Sequence, residues 1–187
     1  MSVALFGYGS LMDPASAGRM LGREVAAAEL VPATLRGYVR TWTLRERVVA
    51  EAAGGEVTAV FLDLSPAPGR RVNGVLMRLS DAEMAFARVR EKNYDAVDVT
   101  ALVHPSPDET ALGAAPVWTF IARPAFVARP GDGEMFVMER YERKVEAACA
   151  RFGPRFREEF AASTVPADLP RLAGGYVFVD AEQARLV

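Results

Sequence analysis

Apolar positions cluster in short runs along the first half of the chain, and these runs predict β-strands. The first run, at 3–7, predicts a short buried strand. The segment 24–46 combines β-branched and aromatic residues with an internal proline and glycine, which favours two strands or one bent strand. After a hairpin-type turn, a strand is predicted at 57–64, followed by a loop at 65–71 and another strand at 72–79.

Helix signals flank these strands on both sides. A helix is predicted over 13–22, with Asp13 as its N-cap, Pro14 at the first helical position and Gly22 just past its end. Residues 135–163 have the composition of a helical region interrupted near its middle by a glycine and a proline.

A further helix is predicted over 80–93, because Ser80 and Glu83 form the S-x-x-E pattern of a capping box. Its apolar stripe, expected to face the core, consists of Ala82, Ala85, Phe86 and Val89. On a regular helix Glu91 lies nearly opposite that stripe. It would reach a cleft only if the helix ended just before it, or if the opposite face lined a pocket.

The remaining segments predict more strands separated by turns. Strands are expected at 94–103, 117–122 and 174–180, with a turn-rich segment at 104–116 and a loop at 128–134. Several strands therefore precede the main helices, and few helices could serve as crossovers. This order predicts an α+β fold with a mixed sheet or small β-barrel and flanking helices, not a doubly wound parallel sheet.

Composition adds limits on partners and location. The 187 residues are expected to form a single domain, 1–187, with 51% hydrophobic and 25% charged residues and a net charge of −2. No cluster of Lys and Arg alternates with aromatic residues, so nucleic-acid binding is not expected. The N-terminal residues lack a signal-peptide pattern and no run is long enough to span a membrane, which predicts a cytoplasmic protein.

The chain contains one cysteine, Cys149, and one histidine, His104, which limits metal and nucleophile chemistry. These counts exclude a cysteine-based zinc site and a multi-histidine metal site. Cys149 lies in a helical context that predicts a buried, inert thiol, and the proline after His104 predicts a loop. No metal site is expected.

The first strand runs directly into Gly7-Tyr8-Gly9-Ser10. A dinucleotide fingerprint does not fit, because its third glycine would fall on Met12, and the Lys-Ser/Thr of a phosphate loop is missing. Two interpretations stay open: a loop whose backbone N–H groups bind a carboxylate or carbonyl, or a plain strand-to-helix corner with Tyr8 in the core.

Glu91 lies where the predicted helix gives way to the next strand, three residues before Tyr94. A carboxylate at such a junction can project into a cleft, where desolvation raises its pKa toward that of a useful general base. Because glutamates are mostly exposed, a solvated Glu91 without a function is the competing interpretation.

Four stretches, taken together, resemble the γ-glutamylcyclotransferase-like superfamily. FGYGSLM is similar to its N-terminal signature, and VNGVLMRLSDAEMAFARVREKNYDAVDV is similar to its second block. LRGYVRTWTL resembles the strand between them, and MERYERKVEAACARFG the tyrosine-bearing helix that follows. Arg-Glu-Lys at 90–92 resembles the ChaC-like branch. The four blocks occur in the family's order across most of 3–160.

The resemblance implies a compact, barrel-like mixed fold with a cavity, and an enzyme that needs no cofactor. Such enzymes cyclise a γ-glutamyl peptide or amine to 5-oxoproline and release the amine. By this resemblance Glu91 is the catalytic carboxylate, and the substrate-binding residues are Tyr8, Gly9, Ser10, Leu11, Tyr94 and Tyr141. The residues alone leave Tyr94 between pocket wall and core, and Tyr141 between substrate contact and helix core.

Two features depart from the family pattern. Asn93 stands where a glycine usually precedes the second-block tyrosine, and asparagine adopts a left-handed φ more readily than most residues. The C-terminal segment 163–187 matches no known block. The resemblance predicts a cyclotransferase, but the sequence specifies neither the amine that is released nor the oligomeric state. The alternative is a non-catalytic small-molecule-binding module on the same fold.

Overall fold

Two long antiparallel strands form the frame of the sheet. The computed structural model describes residues 2–105 and 115–185. In it β2 (Val31–Ala50) and β3 (Gly55–Ser80) pair from the hairpin turn at 51–54 to the far end of the sheet. The bulge between Arg36 and Tyr38 and a second between Trp42 and Leu44 bend β2, so the segment predicted as two strands or a bent one is a bent strand.

The loop predicted at 65–71 is wrong, because β3 continues through it. Pro66 still pairs with Tyr38, and Arg71 pairs with Arg36. The four residues between them bulge opposite a single residue of β2, and Gly69 takes a positive φ of 80° there. The proline and glycine of this segment therefore mark an irregularity within a strand and not its end.

The other central strands complete a mixed sheet in the order β4-β6-β1-β3-β2-β5. The first strand, β1 (Ser2–Gly7), lies between β3, to which it is antiparallel, and β6 (Val117–Ala122), to which it is parallel. Strands β4 (Tyr94–Asp98) and β5 (Val103–Pro105) form the two ends of this order. The predicted α+β class with a mixed sheet is confirmed.

Three short strands extend the sheet near the C-terminus. Residues 135–138, predicted as helix, form β7 (Met135–Met138), because this apolar run pairs in parallel with β3. Strand β8 (Arg171–Leu172) pairs with β7. The strand predicted at 174–180 is confirmed as β9 (Tyr176–Phe178), which is antiparallel to the end of β2.

Helices flank the sheet, and the first has the predicted caps. The Asp13 carboxylate accepts a hydrogen bond of 2.9 Å from the Ser16 N–H, and α1 (Pro14–Leu21) ends at Gly22 with a φ of 67°. The C-terminal half contributes α3 (Glu139–Ala150), α4 (Pro154–Ala162) and α5 (Ala181–Arg185).

The second helix, α2 (Asp81–Arg90), differs from its prediction in two ways. Its capping box is confirmed, but it ends at Arg90 and not at residue 93. The predicted core-facing stripe is wrong, since Phe86 is 44% and Val89 is 54% exposed. The face that packs against α1 and β3 instead buries Met84, Ala87 and Arg90. The helix therefore turns the side opposite the stripe inward.

Cys149 is buried as predicted, and burial raises the pKa of its thiol to about 11. His104 lies in β5, paired with Thr34 of β2, and not in the predicted loop, because the strand forms up to the proline that follows it. Most of the turn-rich segment 104–116 lies outside the described residues. Among the helices of the described ranges, none is both long and apolar enough to cross a membrane.

Candidate active site

The glycine-tyrosine turn after β1 is held by contacts on both sides of Tyr8. The Tyr8 hydroxyl donates a hydrogen bond of 2.7 Å to the carbonyl oxygen of Phe120. Its own carbonyl oxygen accepts one of 2.8 Å from Arg40 Nε. Residues Ser10–Met12 then form a 3-10 turn that leads into α1. The buried Tyr8 ring thus anchors a strand-to-helix corner, and the backbone of that corner lines a hollow.

Gly9 approaches Tyr141 of α3 too closely for any side chain. A Cβ atom at this position would lie 2.9 Å from Tyr141 Oη. Backbone groups of Leu62 and Ser10 lie close enough to that hydroxyl to favour its ionised form, and the Tyr141 ring packs edge-on against Phe61 at 4.9 Å between centroids. Burial raises the pKa of Tyr141 well above its usual range. Because Gly9 has no side chain, the loop can pack directly against Tyr141, and both line the same pocket.

Glu91 occupies the C-cap of α2, because the helix ends one residue before it. Its side chain is 17% exposed, and Oε1 lies 3.8 Å from Arg90 Nε. Burial raises the pKa of the Glu91 carboxyl; the nearby Arg90 charge lowers it, and the Glu46 charge raises it further. The Glu91 carboxyl therefore has a higher proton affinity than an ordinary glutamate.

Glu91 and the loop line a small pocket, which adjoins a second pocket that shares four of its residues; we call the two together the hollow and each pocket one side of it. The loop side is lined by residues 6–11 together with Leu62 and Phe120. The C-terminal side is lined mainly by Leu44, Glu46, Phe61, Arg90, Lys144, Tyr176, Phe178 and Gln183. Four residues line both sides: Ser10, Glu91, Tyr94 and Tyr141. Glu91 therefore stands at the junction of the two sides.

All seven residues that the sequence singled out as site residues meet at this hollow: Tyr8, Gly9, Ser10, Leu11, Glu91, Tyr94 and Tyr141. Tyr94 is half-buried, and its hydroxyl donates a hydrogen bond of 3.2 Å to the Leu62 carbonyl oxygen. Tyr38 and Trp42, predicted as sheet packing, are half-buried against the core. The binding and catalytic roles of the seven site residues stay predictions.

A second buried carboxylate faces the hollow and was missed from the sequence. Glu46 Oε1 accepts hydrogen bonds of 2.7 Å from Asn93 Nδ2 and 3.2 Å from Gln183 Nε2. Burial raises the pKa of Glu46. Glu46 lies between Leu44 and Val48 on the inward-facing side of β2. A charged residue at such a position was the signal that could have identified it.

Asn93 does not take the left-handed conformation expected from its position. Every residue with a positive φ in the described ranges is a glycine. Asn93 is buried, and its side chain serves to hold Glu46. The departure from the family's glycine therefore introduces a polar contact at the edge of the hollow.

Arg40 is another buried charged residue beside the loop that the sequence did not single out. It is fully buried, and its guanidinium donates to the carbonyl oxygens of Tyr8, Asn73 and Phe160. It also donates 2.9 Å to Thr164 Oγ1 and lies 3.8 Å above the Phe160 ring. Burial lowers its pKa to about 9. Arg40 thereby ties the loop to the segment that follows α4.

Positive charge gathers at the outer edge of the C-terminal side. Lys144 of α3 is half-buried and also lines an adjoining recess with Arg19 and Arg140. Burial lowers the pKa of Lys144, and the charge of Arg19 lowers it further. The one acidic group in this recess, Asp13, is engaged in capping α1. Within residues 2–105 and 115–185, no group of Asp, Glu, His and Cys side chains could hold a metal ion.

Comparison with solved structures places the fold. A structure described as a γ-glutamyl cyclotransferase matches 93% of this chain and 94% of its own, at 12% identity and a TM-score of 0.59. A yeast γ-glutamyl cyclotransferase specific to glutathione matches 87% and 97%, at 16% identity and a TM-score of 0.52. No protein-family model matches the sequence, and no curated protein matches it significantly.

YkqA from Bacillus subtilis is also similar, at 21% identity and a TM-score of 0.55. The match covers 91% of this chain but 56% of the YkqA chain. The chain thus has the fold of the γ-glutamylcyclotransferase-like superfamily, and the resemblance seen in its sequence is confirmed at the level of the fold.

Proposed function

We propose that this protein is a γ-glutamyl cyclotransferase: it cyclises a γ-glutamyl peptide or amine to 5-oxoproline and releases the amine. One observation carries the proposal. Glu91, a largely buried carboxylate with a raised pKa, lines the same hollow as the backbone of the loop at 8–11. The fold shared with solved γ-glutamyl cyclotransferases supports it.

The γ-glutamyl unit lies on the loop side of the hollow. There the backbone N–H groups of residues 9–11 hold the γ-carbonyl, and the tyrosine hydroxyls set the shape of the wall. The substrate's own α-amine is the nucleophile and is already tethered to the carbonyl that it attacks. Well-oriented intramolecular reactions reach effective molarities of about 10⁵–10⁸ M, so the protein needs no nucleophile of its own.

Glu91 carries the proton through the reaction. Its carboxylate removes a proton from the α-ammonium, and the freed amine nitrogen forms a bond to the γ-carbonyl carbon. The oxyanion that develops is stabilised by the loop N–H groups. The protonated Glu91 then donates to the amide nitrogen as the carbon–nitrogen bond breaks. Glu91 then takes the second proton of the attacking nitrogen and passes it to the departing amine, so the products are 5-oxoproline and a protonated amine, and Glu91 returns to its ionised form.

The raised pKa suits this double role. An ordinary glutamate is a weak base toward an ammonium group, and burial raises the proton affinity of Glu91. Transfer from the α-ammonium is then less unfavourable, and a general acid–base group works best when its pKa lies near the working pH.

The leaving group lies on the C-terminal side, beyond Glu91. Lys144 lines this side, and the exposed Arg19 and Arg140 line the adjoining recess with it. The half-buried charge of Lys144, with these two arginines beside it, favours an anionic partner, so we expect a leaving group that carries a carboxylate, as in a γ-glutamyl amino acid or peptide.

The experiment incubates purified protein with a panel of γ-glutamyl amino acids, peptides and alkylamines and measures 5-oxoproline and released amine by mass spectrometry. We expect equal amounts of the two products from at least one panel member, and loss of turnover in Glu91→Gln. Glu146→Gln, an exposed position on α3, serves as the matched control and should retain full activity.

Melting curves show whether Glu91→Gln is folded. Unchanged turnover in that folded variant would reject Glu91 as the proton carrier. Binding of panel members without any product would instead indicate a non-catalytic binding module on this fold.

A further inference from the structure

The C-terminal segment, which resembles no known block in sequence, forms a wall of the hollow. Strand β9 pairs with the end of β2, and Tyr176 and Phe178 pack their rings against Phe61 at 5.8 and 5.3 Å between centroids. The Gly175 N–H donates a hydrogen bond of 2.6 Å to Glu51 Oε2. The wall is therefore docked on the sheet by main-chain and aromatic contacts.

Gln183 of α5 lies in this wall and lines the C-terminal side of the hollow. It is 8% exposed. Its Nε2 donates 3.2 Å to Glu46 Oε1, but its Oε1 is buried without a hydrogen-bond partner. In the described part of the chain this is the one buried side-chain oxygen or nitrogen atom left unpaired. A buried polar atom without a partner is unfavourable and calls for an explanation.

The orientation of the Gln183 amide follows from its neighbour. Glu46 Oε1 also accepts from Asn93 Nδ2 at 2.7 Å, so it acts as an acceptor for both amides. Reversing the Gln183 amide would place its oxygen against this carboxylate oxygen and lose the hydrogen bond. Glu46 and Asn93 therefore fix the orientation of an acceptor atom, on a residue that lines the hollow, for which the described residues supply no donor.

We propose that Gln183 Oε1 accepts a hydrogen bond from the N–H of the scissile amide of the bound substrate. The inference rests on the proposed function. Glu91 stands at the junction of the two sides, so the bond that breaks lies there and its nitrogen belongs to the C-terminal side, where Gln183 is. The amide N–H is the one donor that every γ-glutamyl amide of a primary amine presents at that point.

This contact would also direct catalysis. When the amine attacks, the carbonyl carbon becomes tetrahedral, and the lone pair of the amide nitrogen is no longer delocalised, so Glu91 can protonate it. Holding its N–H against Gln183 Oε1 fixes the direction of that lone pair toward Glu91. Gln183 is thus a positioning residue for proton transfer to the leaving group.

The test compares the γ-glutamyl amino acid of the panel that is turned over fastest with its depsipeptide, in which an ester oxygen replaces the amide N–H. The kcat/KM of each is measured for wild type and for Gln183→Met, with uncatalysed ester cyclisation subtracted. We expect Gln183→Met to lower kcat/KM about tenfold for the amide, as for one lost hydrogen bond, and less than about threefold for the ester.

Gln183→Glu provides the rescue. Two adjacent buried carboxyls share a proton, so the new carboxyl still donates to Glu46 and still offers an acceptor oxygen. It should keep the amide-to-ester ratio within about threefold of wild type. Val177→Ala, 58% exposed on the outer face of β9, is the control for disturbance of the wall and should behave as wild type.

Equal losses on amide and ester in Gln183→Met would overturn this inference and leave the proposed function standing. The same holds if Gln183→Met fails to fold and Gln183→Glu shifts the amide-to-ester ratio by more than about threefold from wild type. Absence of turnover by wild type on every panel member would contradict the proposed function itself, and the role of Gln183 with it.

Discussion

Gly9→Ala tests the contact between the loop and the Tyr141 wall. The new Cβ would lie 2.9 Å from Tyr141 Oη, whereas ordinary contacts begin at 3.4 Å. The hydroxyl cannot easily withdraw, because Tyr141 is buried and its ring packs against Phe61 and Trp42. Loop and helix must therefore separate by several tenths of an ångström.

Overpacking of this kind costs about 1–3 kcal/mol of unfolding free energy. For a chain of this size each kcal/mol lowers the melting temperature by about 2–4 °C, so a cost near the middle of that range gives about 6 °C. The displaced loop should also lower kcat/KM by about tenfold or more, since small misplacements at a reacting centre are costly.

A double-mutant cycle with Tyr141→Phe identifies the cause. Removing the hydroxyl removes the atom that the new Cβ would meet, so the stability losses of Gly9→Ala and Tyr141→Phe should add to more than the loss of the double variant, by about 1 kcal/mol. Gly55→Ala is the matched control, because a Cβ there meets nothing within 4 Å, and it should change stability by about 0.5 kcal/mol or less. Additive losses in the cycle would refute the contact.

Four further outcomes follow from the site. Arg40→Met should lower the unfolding free energy by about 3 kcal/mol in urea titrations, because the buried carbonyl oxygens of Tyr8 and Asn73 both lose a charged donor; a loss below about 1 kcal/mol would contradict this. Lys144→Glu should raise KM for a substrate whose leaving group carries a carboxylate and leave KM for a γ-glutamyl alkylamine nearly unchanged; equal changes would reject the charge pairing. The acid limb of the kcat/KM profile should lie above the range of an ordinary glutamate, because Glu91 must be ionised to accept a proton and burial raises its pKa. Because the pKa of Glu91 is raised in the folded state, protonated Glu91 stabilises the fold at low pH, and this stabilisation is lost as pH rises through the folded-state pKa. The unfolding free energy of Glu91→Gln should therefore increase relative to that of wild type over this pH rise. A difference between the two proteins that does not change with pH would contradict the burial of this carboxyl.

Local signals account for what the sequence could predict. The pair Ser80 and Glu83 identified the start of α2, and Asp13 and Gly22 identified both ends of α1. The glycines around Tyr8 indicated either a binding loop or a strand-to-helix corner, and the structure shows the corner, with Gly9 close to Tyr141. Each of these signals depends on residues within a few positions of one another.

What the sequence could not predict depends on distant partners. The prediction of the core-facing side of α2 was wrong because the large apolar side chains Phe86 and Val89 lie on its exposed side, whereas the buried side contains fewer large apolar residues. Glu46 is hydrogen-bonded by Asn93 and Gln183, which lie 47 and 137 positions further along the chain, and no local sequence pattern predicts such pairs. Arg40 likewise takes its partners from three separate segments, and burial of its charge is tolerated because those partners converge only in the folded chain.

The central claim is spatial: Glu91 and the loop at 8–11 hold one γ-glutamyl unit between them. A crystal structure of the Glu91→Gln variant with an intact γ-glutamyl substrate tests it most directly. We predict the γ-carbonyl oxygen within hydrogen-bond distance of a loop N–H, and the α-amino nitrogen within hydrogen-bond distance of the side chain at position 91. A substrate bound away from both would contradict the account.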